Sequence, residues 1–438
     1  MSIRSVHITN YYHKNSGGIS TSYNNLLAAA ERHRRFVRLI VPGEKESVEV
    51  VNDFAKIYYV PAGYSPVFDK RYRMIKPWQF MKHGSLVREI LLAEDPDLIE
   101  VCDKYSLSLI GPMIRLGKFS KLGRPMMIHF SCERMDDNVA SFLTGGRVGK
   151  WFSRHIIGDY ILPNYDFHIA NSHYTAQEFF EAAGPKARPG EQTSFREWCW
   201  KVFRSPKVDL KERVFVCPRG VDAKFYSPKR RSIAFRQKLI ETAKIPLDSV
   251  ILLYAGRISP EKNIGLLVEL MKLLARETSR DFRLLIAGAG PMAKSIEEQG
   301  EKIVKGKVVL LGHLEKESLA DQYANADVFV HPNPREPFGI APLEAMASGT
   351  PVVAPNSGGI LSYATDANAW LVEPDGKSFA SAVLDVFSDE QAKLRKIANA
   401  RETAIQNSRE VATDRLFSTY DRLFEDFVLR RQLFTDLP

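Results

Sequence analysis

Two glutamates in one proline-rich segment are the residues whose type and spacing most directly suggest chemistry. Glu336 and Glu344 lie eight positions apart in REPFGIAPLEAMASGTPVVA, which covers residues 335–354. Pro342 suits the first position of a helix, because its missing N–H would lack a partner there in any case. Carboxylates near such a helix start can accept hydrogen bonds from sugar hydroxyl groups. The segment therefore predicts a loop and a helix that bind a polar ligand.

The predicted helix start also offers a place for an anion. The first backbone N–H groups of a helix have no partner within it, and the helix dipole is positive at that end. A phosphate is the simplest ligand for such a site. The alternative is an ordinary helix that carries two solvated glutamates. The loop, the glycine and the proline in this segment make that alternative less favoured. The N–H groups concerned belong to Gly339, Ile340 and Ala341.

A second segment, YAGRISPEKN at residues 254–263, supplies two cations. Arg257 and Lys262 follow a predicted strand at 250–255, so they leave the carboxyl edge of a sheet, where ligands bind in open α/β folds. Two cations on one loop can hold a diphosphate and offset the charge that grows on it as a bond to it breaks. Cationic side chains on loops are usually solvated, so this segment alone is weak evidence for a binding site. The evidence becomes strong when the segment is considered together with the glutamate segment at 335–354.

The first half of the chain carries weaker candidates. Gly17 and Gly18 form a predicted turn after the first strand, which would let the backbone approach a ligand closely. This pair is not a G-x-G-x-x-G fingerprint, and the sequence contains no G-x-x-x-x-G-K-[ST] phosphate loop. His129 ends a predicted buried strand at a similar edge. A structural role and a catalytic role are equally favoured explanations for it.

Short apolar strands and amphipathic helices alternate along the chain, which is typical of parallel sheets covered by helices on both faces. The pattern restarts near residue 218, so we expect an α/β protein of two doubly wound domains that face each other across a ligand-binding cleft. The predicted strands cover residues 5–10, 36–41, 56–60, 97–101, 125–130, 167–170, 250–255, 282–287, 307–311, 327–331 and 351–354. The predicted helices include 20–34, 263–277, 291–304, 342–348 and 410–433.

The excess of positive charge lies in the first half of the chain. The 438 residues carry a formal net charge of +9, and residues 1–220 hold 32 Lys+Arg against 23 Asp+Glu, which is the whole excess. A basic face attracts nucleic acid, an acidic membrane surface or a phosphorylated substrate, although a solvated surface without a partner is also compatible. Within 184–211, Trp198 and Trp200 lie among cations, which suits a membrane interface, a partner groove or a loop packed on its own domain.

Several classes of protein are excluded or disfavoured. The composition is that of a globular chain, no apolar run approaches a membrane span, and no signal peptide is expected. The four cysteines form no C-x-x-C pair, so no zinc site or disulfide framework is indicated and a reducing cytoplasm is the expected location. Asp95-Pro96-Asp97 is similar to an acidic metal motif, but a turn before the next strand explains it better.

Together these segments resemble glycosyltransferase family 4, the retaining nucleotide-sugar transferases of the GT-B fold, over nearly the whole chain and most strongly at 217–375. The resemblance implies that Glu336 contacts the donor sugar and Glu344 the ribose. Arg257 and Lys262 would hold the donor's diphosphate and act with Glu336 in catalysis, and His129 resembles the histidine near the reacting carbon. The further positions implied to bind the donor are Gly17, Gly18, Gly256, Gly288, Leu314, Phe338, Gly339, Ile340 and Ala341.

The resemblance also implies how the chain is divided. Residues 1–217 would be an acceptor-side Rossmann-like domain with an insertion at 184–211. Residues 218–410 would bind the nucleotide sugar, and 411–438 would form a C-terminal helix that packs back toward the first domain. Arg219 departs from the family, which usually has asparagine there.

The implied activity is transfer of a hexose, with retained anomeric configuration, from a nucleotide sugar to an acceptor hydroxyl. UDP is the commoner base in the family, and neither a metal nor another cofactor is implied. The basic, aromatic-rich first half, including Arg71, Arg73, Lys76, Trp78, Phe80 and Lys82, favours a glycolipid or other membrane-associated acceptor and peripheral attachment to the inner face of the membrane. A soluble sugar or natural product is the alternative acceptor.

Two other classes of function are compatible with parts of the sequence. A membrane-surface or nucleic-acid binding module without catalysis would use the same basic half, but the intact motifs argue against it, and no nucleic-acid signature exists beyond charge. No nucleic-acid partner is therefore expected. A pair of catalytic carboxylates is also typical of glycosidases. This class is disfavoured, because a glycosidase has no use for phosphate-binding elements.

Overall fold

The computed structural model describes residues 3–13, 17–65, 73–119, 121–142, 146–184 and 194–435. The chain divides into two compact units. Unit 1 comprises Met1–Arg219 together with Glu410–Pro438, and unit 2 comprises Gly220–Arg409. The chain thus leaves unit 1 next to Arg219 and returns to it at Glu410.

Within these described ranges, eight strands form the sheet of unit 1. They are β1 (Ser5–Thr9), β2 (Val37–Gly43), β3 (Ser47–Asn52), β4 (Ala55–Pro61), β5 (Leu98–Cys102), β6 (Met126–Ser131), β7 (Phe167–Ala170) and β8 (Val214–Val216). Their order is β3-β4-β2-β1-β5-β6-β7-β8, and all neighbours are parallel except β3 and β4. Ile40 belongs to one buried cluster, whereas Leu39 and Val41 belong to another, so both faces of the sheet are covered.

Helices connect and cover these strands. They are α1 (Gly17–His33), α2 (Trp78–Met81), α3 (Leu86–Glu94), α4 (Ile110–Arg115), α5 (Met135–Phe142), α6 (Arg147–His155), α7 (Leu162–Asn164), α8 (His173–Ala183) and α9 (Ser194–Val202). A π-helical turn, Ile156–Ile161, joins α6 to α7.

Local predictions for unit 1 have different outcomes. Gly17 and Gly18 do not form a turn, because they are the first two residues of α1. The segment 184–211 is helical at Ser194–Val202, where a loop was one of the alternatives, and its residues 185–193 lie outside the described ranges. The turn at 95–97 is confirmed, since α3 ends at Glu94 and the next residue, Asp95, has a left-handed backbone with φ of 41°. Arg71 lies outside the described residues.

Unit 2 repeats the architecture with a sheet of six strands within the described ranges. They are β9 (Val250–Ala255), β10 (Phe282–Ala287), β11 (Val308–Gly312), β12 (Val328–Val330), β13 (Val352–Pro355) and β14 (Trp370–Val372). All pairs are parallel, in the order β11-β10-β9-β12-β13-β14. The helices are α10 (Ile233–Ala243), α11 (Gly265–Glu277), α12 (Ala293–Ile303), α13 (Lys316–Asn325), α14 (Ile340–Ala347), α15 (Gly376–Asp385) and α16 (Glu390–Gln406).

The strand order of unit 2 fixes where a ligand can bind. The chain proceeds from β9 outward to β10 and β11, then crosses to β12 on the other side of β9. Ligands of open α/β sheets bind at the carboxyl edge beside such a reversal, because the loops on either side diverge there. The loops after β9 and β12 contain the two segments that the sequence singled out.

Two C-terminal helices, α17 (Arg409–Leu429) and α18 (Arg431–Phe434), complete unit 1. The buried side of α17 carries Leu416, Tyr420, Leu423 and Phe427, each at most 2% exposed. Val411, in the first turn of the helix, is 40% exposed.

A buried charge network ties α17 to the sheet. Glu100 on β5 is fully buried and accepts hydrogen bonds from Arg219 at 2.9 Å, Tyr420 at 2.6 Å and His7 at 3.1 Å. Arg219 therefore provides the positive charge that pairs with a buried carboxylate inside unit 1.

Candidate active site

Lys262 and Glu336 meet beside the reversal of strand order in unit 2. Lys262 follows β9 and donates a hydrogen bond of 2.9 Å from Nζ to Oε2 of Glu336, which follows β12. Asn263 reinforces the link by donating to the backbone oxygen of Pro332 at 3.1 Å. The structure thus brings together two predicted catalytic residues that are 74 positions apart.

Glu336 has two further polar neighbours that sequence reasoning missed. Asn333 donates to Oε2 of Glu336 at 2.9 Å, and Nε2 of His331 lies 3.6 Å from the same oxygen. His331 is 4% exposed and directly follows β12. The sequence could have indicated His331, because it lies at the end of a predicted strand. Polar side chains in that position lie at the carboxyl edge of a parallel sheet, where ligands bind.

The electrostatics keep Glu336 ionised and His331 neutral. Burial by itself would raise the pKa of Glu336, but the charge of Lys262, with His331 and Asn333, lowers that pKa to about 2. Burial lowers the pKa of His331 to about 4, against the attraction of Glu336. A carboxylate paired with Lys262 is therefore present at this edge throughout the neutral range.

Glu344 lies in a different environment on α14. Tyr323 donates a hydrogen bond of 3.0 Å to Oε2 of Glu344, and Tyr226 also hydrogen-bonds the carboxyl group. Burial raises the pKa of Glu344 to about 7, because these neutral hydroxyls offset only part of the desolvation. Charge and neutrality are thus both accessible to this carboxyl group near neutral pH.

Helix α14 begins earlier than predicted. Ile340 is its first residue and Gly339 is the N-cap, so Pro342 is the third helical residue and not the first. Gly339 has φ of 89°, and a Cβ there would lie 2.8 Å from the hydroxyl oxygen of Tyr363. Tyr363 donates a hydrogen bond to the Gly339 carbonyl oxygen. The glycine therefore permits the turn that directs the first N–H groups of α14 out of the helix.

Phe338 and Leu314 are predicted donor contacts that differ in exposure. Phe338 is 5% exposed and packs edge to face on Tyr363, with ring centroids 5.2 Å apart. Its side chain belongs to the buried core of unit 2. Leu314 lies between β11 and α13 and is half-buried against the core of unit 2.

The glycines after β9 and β10 have a packing role. A Cβ on Gly288 would lie 1.9 Å from the Gly256 carbonyl oxygen, and a Cβ on Gly290 would lie 2.2 Å from that of Ile258. The two loops also exchange hydrogen bonds, from Ile258 N–H to the Ala289 oxygen at 3.1 Å and from Met292 N–H back to Ile258 at 3.1 Å. These contacts hold the loop that carries Arg257, which is half-buried.

A second glycine pair, which sequence reasoning missed, holds the loop that carries Glu336. A Cβ on Gly359 would lie 2.0 Å from the Pro337 oxygen, and one on Gly358 would lie 2.9 Å from that of Pro334. Gly359 N–H donates to the Glu336 backbone oxygen at 2.7 Å. The N-S-G-G sequence after β13 is thus a backbone platform beneath Glu336.

The structure contradicts the predicted position of His129. The residue does not end a strand, because β6 continues to Ser131, and its side chain is fully buried. Neither ring nitrogen hydrogen-bonds any residue of the described ranges, and the ring lies among Tyr165, His168 and Phe179. Burial lowers the pKa of His129 well below its usual value. Within unit 1 this histidine is a core residue.

The carboxyl edge of unit 1 instead carries a buried polar cluster that the sequence did not reveal. Asn10, after β1, donates to Asp103, after β5, at 2.9 Å. Lys104 bonds Glu178 at 2.6 Å. Burial raises the pKa of Asp103 to about 6. Since β1 and β5 are neighbours on either side of the strand-order reversal, this cluster has the location that Lys262 and Glu336 have in unit 2.

Within the described part of the chain, no group of three or more His, Cys, Asp or Glu side chains is arranged to hold a metal ion. The same residues include no helix long and apolar enough to cross a membrane.

Comparison with known proteins identifies a family for the unit 2 segment. Residues 235–408 match the family described as glycosyl transferases group 1. The chain is also 26% identical, over 94% of its own length and 94% of the relative, to the GDP-mannose-dependent alpha-(1-6)-phosphatidylinositol dimannoside mannosyltransferase of Mycobacterium tuberculosis.

Solved structures establish the fold. Sucrose-phosphate synthase from Thermosynechococcus elongatus matches with a TM-score of 0.69 at 21% identity, over 97% of this chain and 100% of that one. Anabaena Alr3699/HepE in complex with UDP and glucose matches with a TM-score of 0.67 at 15% identity, over 96% and 100%. Together with the two parallel sheets, these matches confirm the predicted GT-B fold.

Proposed function

We propose that this chain, whose residues 235–408 match the group 1 glycosyltransferases, transfers a hexose from a nucleoside-diphosphate sugar to a hydroxyl group of a glycolipid or other membrane-associated glycan precursor. The anomeric configuration is retained in this reaction. The donor binds at the carboxyl edge of unit 2.

One observation carries this proposal. Lys262 and Glu336 form an ion pair of 2.9 Å at the strand-order reversal, and α14 begins four residues after Glu336, at Ile340. A nucleotide sugar needs cationic groups and free N–H groups for its diphosphate and an acceptor of hydrogen bonds for its hexose. These groups converge on one loop pair.

Each group has a proposed role. Arg257, Lys262 and the N–H groups of Gly339 to Ala341 bind the diphosphate and stabilise it as it departs. Glu336, which stays ionised, accepts hydrogen bonds from the hexose hydroxyls. Glu344 accepts hydrogen bonds from the ribose, and Leu314 contacts the base. His129 has no part in this scheme, because its side chain is enclosed in the core of unit 1.

The base of the donor has two supported candidates. The family resemblance favours UDP, whereas the Mycobacterium tuberculosis relative, which matches over 94% of both chains, is GDP-mannose-dependent by name. The name of that relative also states a phosphatidylinositol dimannoside acceptor, which supports a glycolipid acceptor for this chain. A soluble acceptor would use the same donor chemistry, and the reaction requires no metal in this proposal.

The direct test is a transfer assay with UDP- and GDP-hexoses that carry a labelled sugar, with lipid-linked and soluble acceptors, and with and without a chelator. We expect label in the lipid fraction from one nucleotide series, an unchanged rate with chelator, and retained configuration by NMR of the product. Absence of transfer and of donor hydrolysis from both series, despite a folded protein, would favour a binding module without catalysis.

A further inference from the structure

Helix α6 shows its large apolar residues to solvent. Gly149 and Ser153 are buried against unit 1, whereas Val148, Trp151 and Phe152 are 67%, 62% and 51% exposed. A surface helix normally buries its large apolar side chains and exposes its small and polar ones. The orientation of α6 is therefore the reverse of that expected for a helix that only packs on its own domain.

Helix α9 repeats this arrangement. Phe195 and Trp198 are each 60% exposed and stack on one another, with ring centroids 6.0 Å apart. The opposite side of α9 is anchored, since Cys199 and Trp200 are buried and Trp200 donates to the Gly158 backbone oxygen at 2.8 Å. The exposed rings are thus held on a fixed helix.

The two helices are attached to the same turn. Asp159, in the π-helical turn, bonds His155 of α6 at 2.5 Å and also accepts a hydrogen bond from Arg196 of α9. The two helices that carry the exposed aromatic residues therefore meet at one turn of unit 1. Exposed aromatic residues grouped in this way usually mark an interaction surface.

Charge indicates what that surface contacts. The exposed charged residues of α6 are all basic, and α9 adds one exposed lysine and one exposed glutamate, Glu197. Arg154 is 48% exposed beside Glu181, at 3.5 Å. Tryptophan rings beside lysine and arginine are favoured at the interface between lipid headgroups and acyl chains, and cations there are attracted by anionic lipids. The exposed cations are Arg147, Lys150, Arg154 and Lys201.

We propose that α6 and α9 form an aromatic–basic surface that docks on an anionic lipid bilayer, with Trp151, Phe152, Phe195 and Trp198 entering the interface and Lys150 and Lys201 contacting headgroups. The inference deepens the proposed function and rests on it in one respect, namely that the acceptor is lipid-linked. Unit 1 would then contact the membrane through side chains that do not pack in its own core.

Vesicle flotation of the full-length protein tests the proposal. The probes are vesicles of phosphatidylcholine alone and of phosphatidylcholine with phosphatidylglycerol, at low and high salt. The variants are Trp151→Ala with Trp198→Ala, and Lys150→Gln with Lys201→Gln. Trp78→Ala is the aromatic control for the competing membrane segment that the sequence suggested, because Trp78 is 55% exposed on α2 of the same unit. Lys272→Gln on α11 is the charge control, because Lys272 is exposed on unit 2.

We expect binding only to the anionic vesicles. Loss of the two lysines should weaken it about 30-fold at low salt, and loss of the two tryptophans at least about tenfold at either salt. Both controls should bind like the wild type. Equal loss in the Trp78 variant, or undiminished binding in both pairs, would overturn the assignment of this surface. Self-association that Trp151→Ala abolishes, without vesicle binding, would assign the surface to a second copy of the chain.

Nucleotide binding by the same variants separates this proposal from the proposed function. If the variants lose vesicle binding but keep the thermal shift with a nucleoside diphosphate, the surface is distinct from the donor site. If the wild type binds nucleotide and transfers sugar but ignores vesicles, the surface proposal fails alone. If it binds vesicles but no nucleotide, the proposed function fails alone.

Discussion

At the residue scale, the two glutamates of one motif differ in charge state. Glu336 has a pKa lowered to about 2 by a lysine and its other polar neighbours, in spite of burial, whereas burial raises the pKa of Glu344 to about 7. The difference arises from partners, since Glu344 has tyrosine hydroxyls where Glu336 has an ammonium group. Their proposed roles, at the hexose and at the ribose, can therefore be tested separately.

Glu336→Ala is expected to reduce transfer at least about 100-fold, because it removes the hexose contact and leaves Lys262 without its carboxylate. The thermal midpoint should change little by comparison with this loss. Initial rates and thermal unfolding measure the two effects. Glu298→Ala is the control, since Glu298 is 67% exposed on α12. Near-normal transfer by the Glu336 variant would contradict the assignment.

Glu344→Gln is expected to flatten the pH dependence of stability. The folded pKa is about 7 and the unfolded value is about 4.3, so the folded state retains a proton that the unfolded state releases between these values. The contribution of Glu344 to the free energy of unfolding is fully present below about pH 4.3 and is lost as the pH rises through about 7. The glutamine variant should therefore lose less stability than the wild type between about pH 5 and pH 8.

Thermal midpoints at both pH values measure this effect, with Glu298→Gln as the control. An identical pH slope in wild type and Glu344→Gln would mean that Glu344 does not titrate in this range. Weaker nucleoside diphosphate binding by the same variant would support the ribose contact.

At the element scale, the loops of unit 2 are held by backbone contacts that leave no room for a Cβ. Gly359→Ala should destabilise unit 2 by about 1–3 kcal/mol and reduce donor binding, because the Pro337 oxygen must move and Glu336 moves with it. Urea unfolding and nucleotide titration measure both effects. Gly265→Ala is the matched control, since a Cβ at Gly265 has no neighbour within 4 Å. Equal behaviour of the two variants would contradict the platform role of Gly359.

Arg219→Asn introduces the residue that the family usually has and should destabilise unit 1 by about 3–5 kcal/mol, because it leaves Glu100 buried without its cation. Burial alone would raise the pKa of Glu100, yet Arg219, His7 and Tyr420 lower it to about 2. The stability this provides is present above about pH 4.3 and is lost as the pH falls toward 2.

Urea unfolding at neutral and acidic pH measures the effect of Arg219→Asn. Combining Arg219→Asn with Glu100→Gln should recover part of the lost stability, because no buried charge then remains unpaired. A single variant as stable as the wild type would contradict the role assigned to this network.

Elements with strong local patterns could be predicted from the sequence. Elements and positions that depend on contacts between residues far apart in the chain could not. The strands at 250–255 and 282–287 were predicted to the residue, because apolar runs bounded by turns specify them. The edge strand Ser47–Asn52 was missed, since it is exposed and depends on pairing with its neighbour. His129 was misplaced because the strand extends beyond it. Lys262 and Glu336 were assigned to one site through the family resemblance, because local patterns do not encode the strand order that brings them together.

At the scale of the whole molecule, the two units differ in how the chain builds them. Unit 2 is one continuous segment, Gly220–Arg409, whereas unit 1 needs both Met1–Arg219 and Glu410–Pro438. The proposed donor site lies entirely in unit 2, and the aromatic–basic surface lies entirely in unit 1. Donor binding and membrane binding should therefore respond to different substitutions.

The most direct measurement of the central claim is hydrogen exchange of the full chain with and without UDP or GDP. We predict slower exchange with one of the two nucleotides in the loop at 256–263, in the segment 331–345 and around residues 357–360, because bound diphosphate and sugar groups stabilise these hydrogen-bonded loops. The pattern should be unchanged by a chelator and absent in Lys262→Ala. Protection confined to unit 1, or no protection at saturating concentrations of either nucleotide, would contradict a donor site at the carboxyl edge of unit 2.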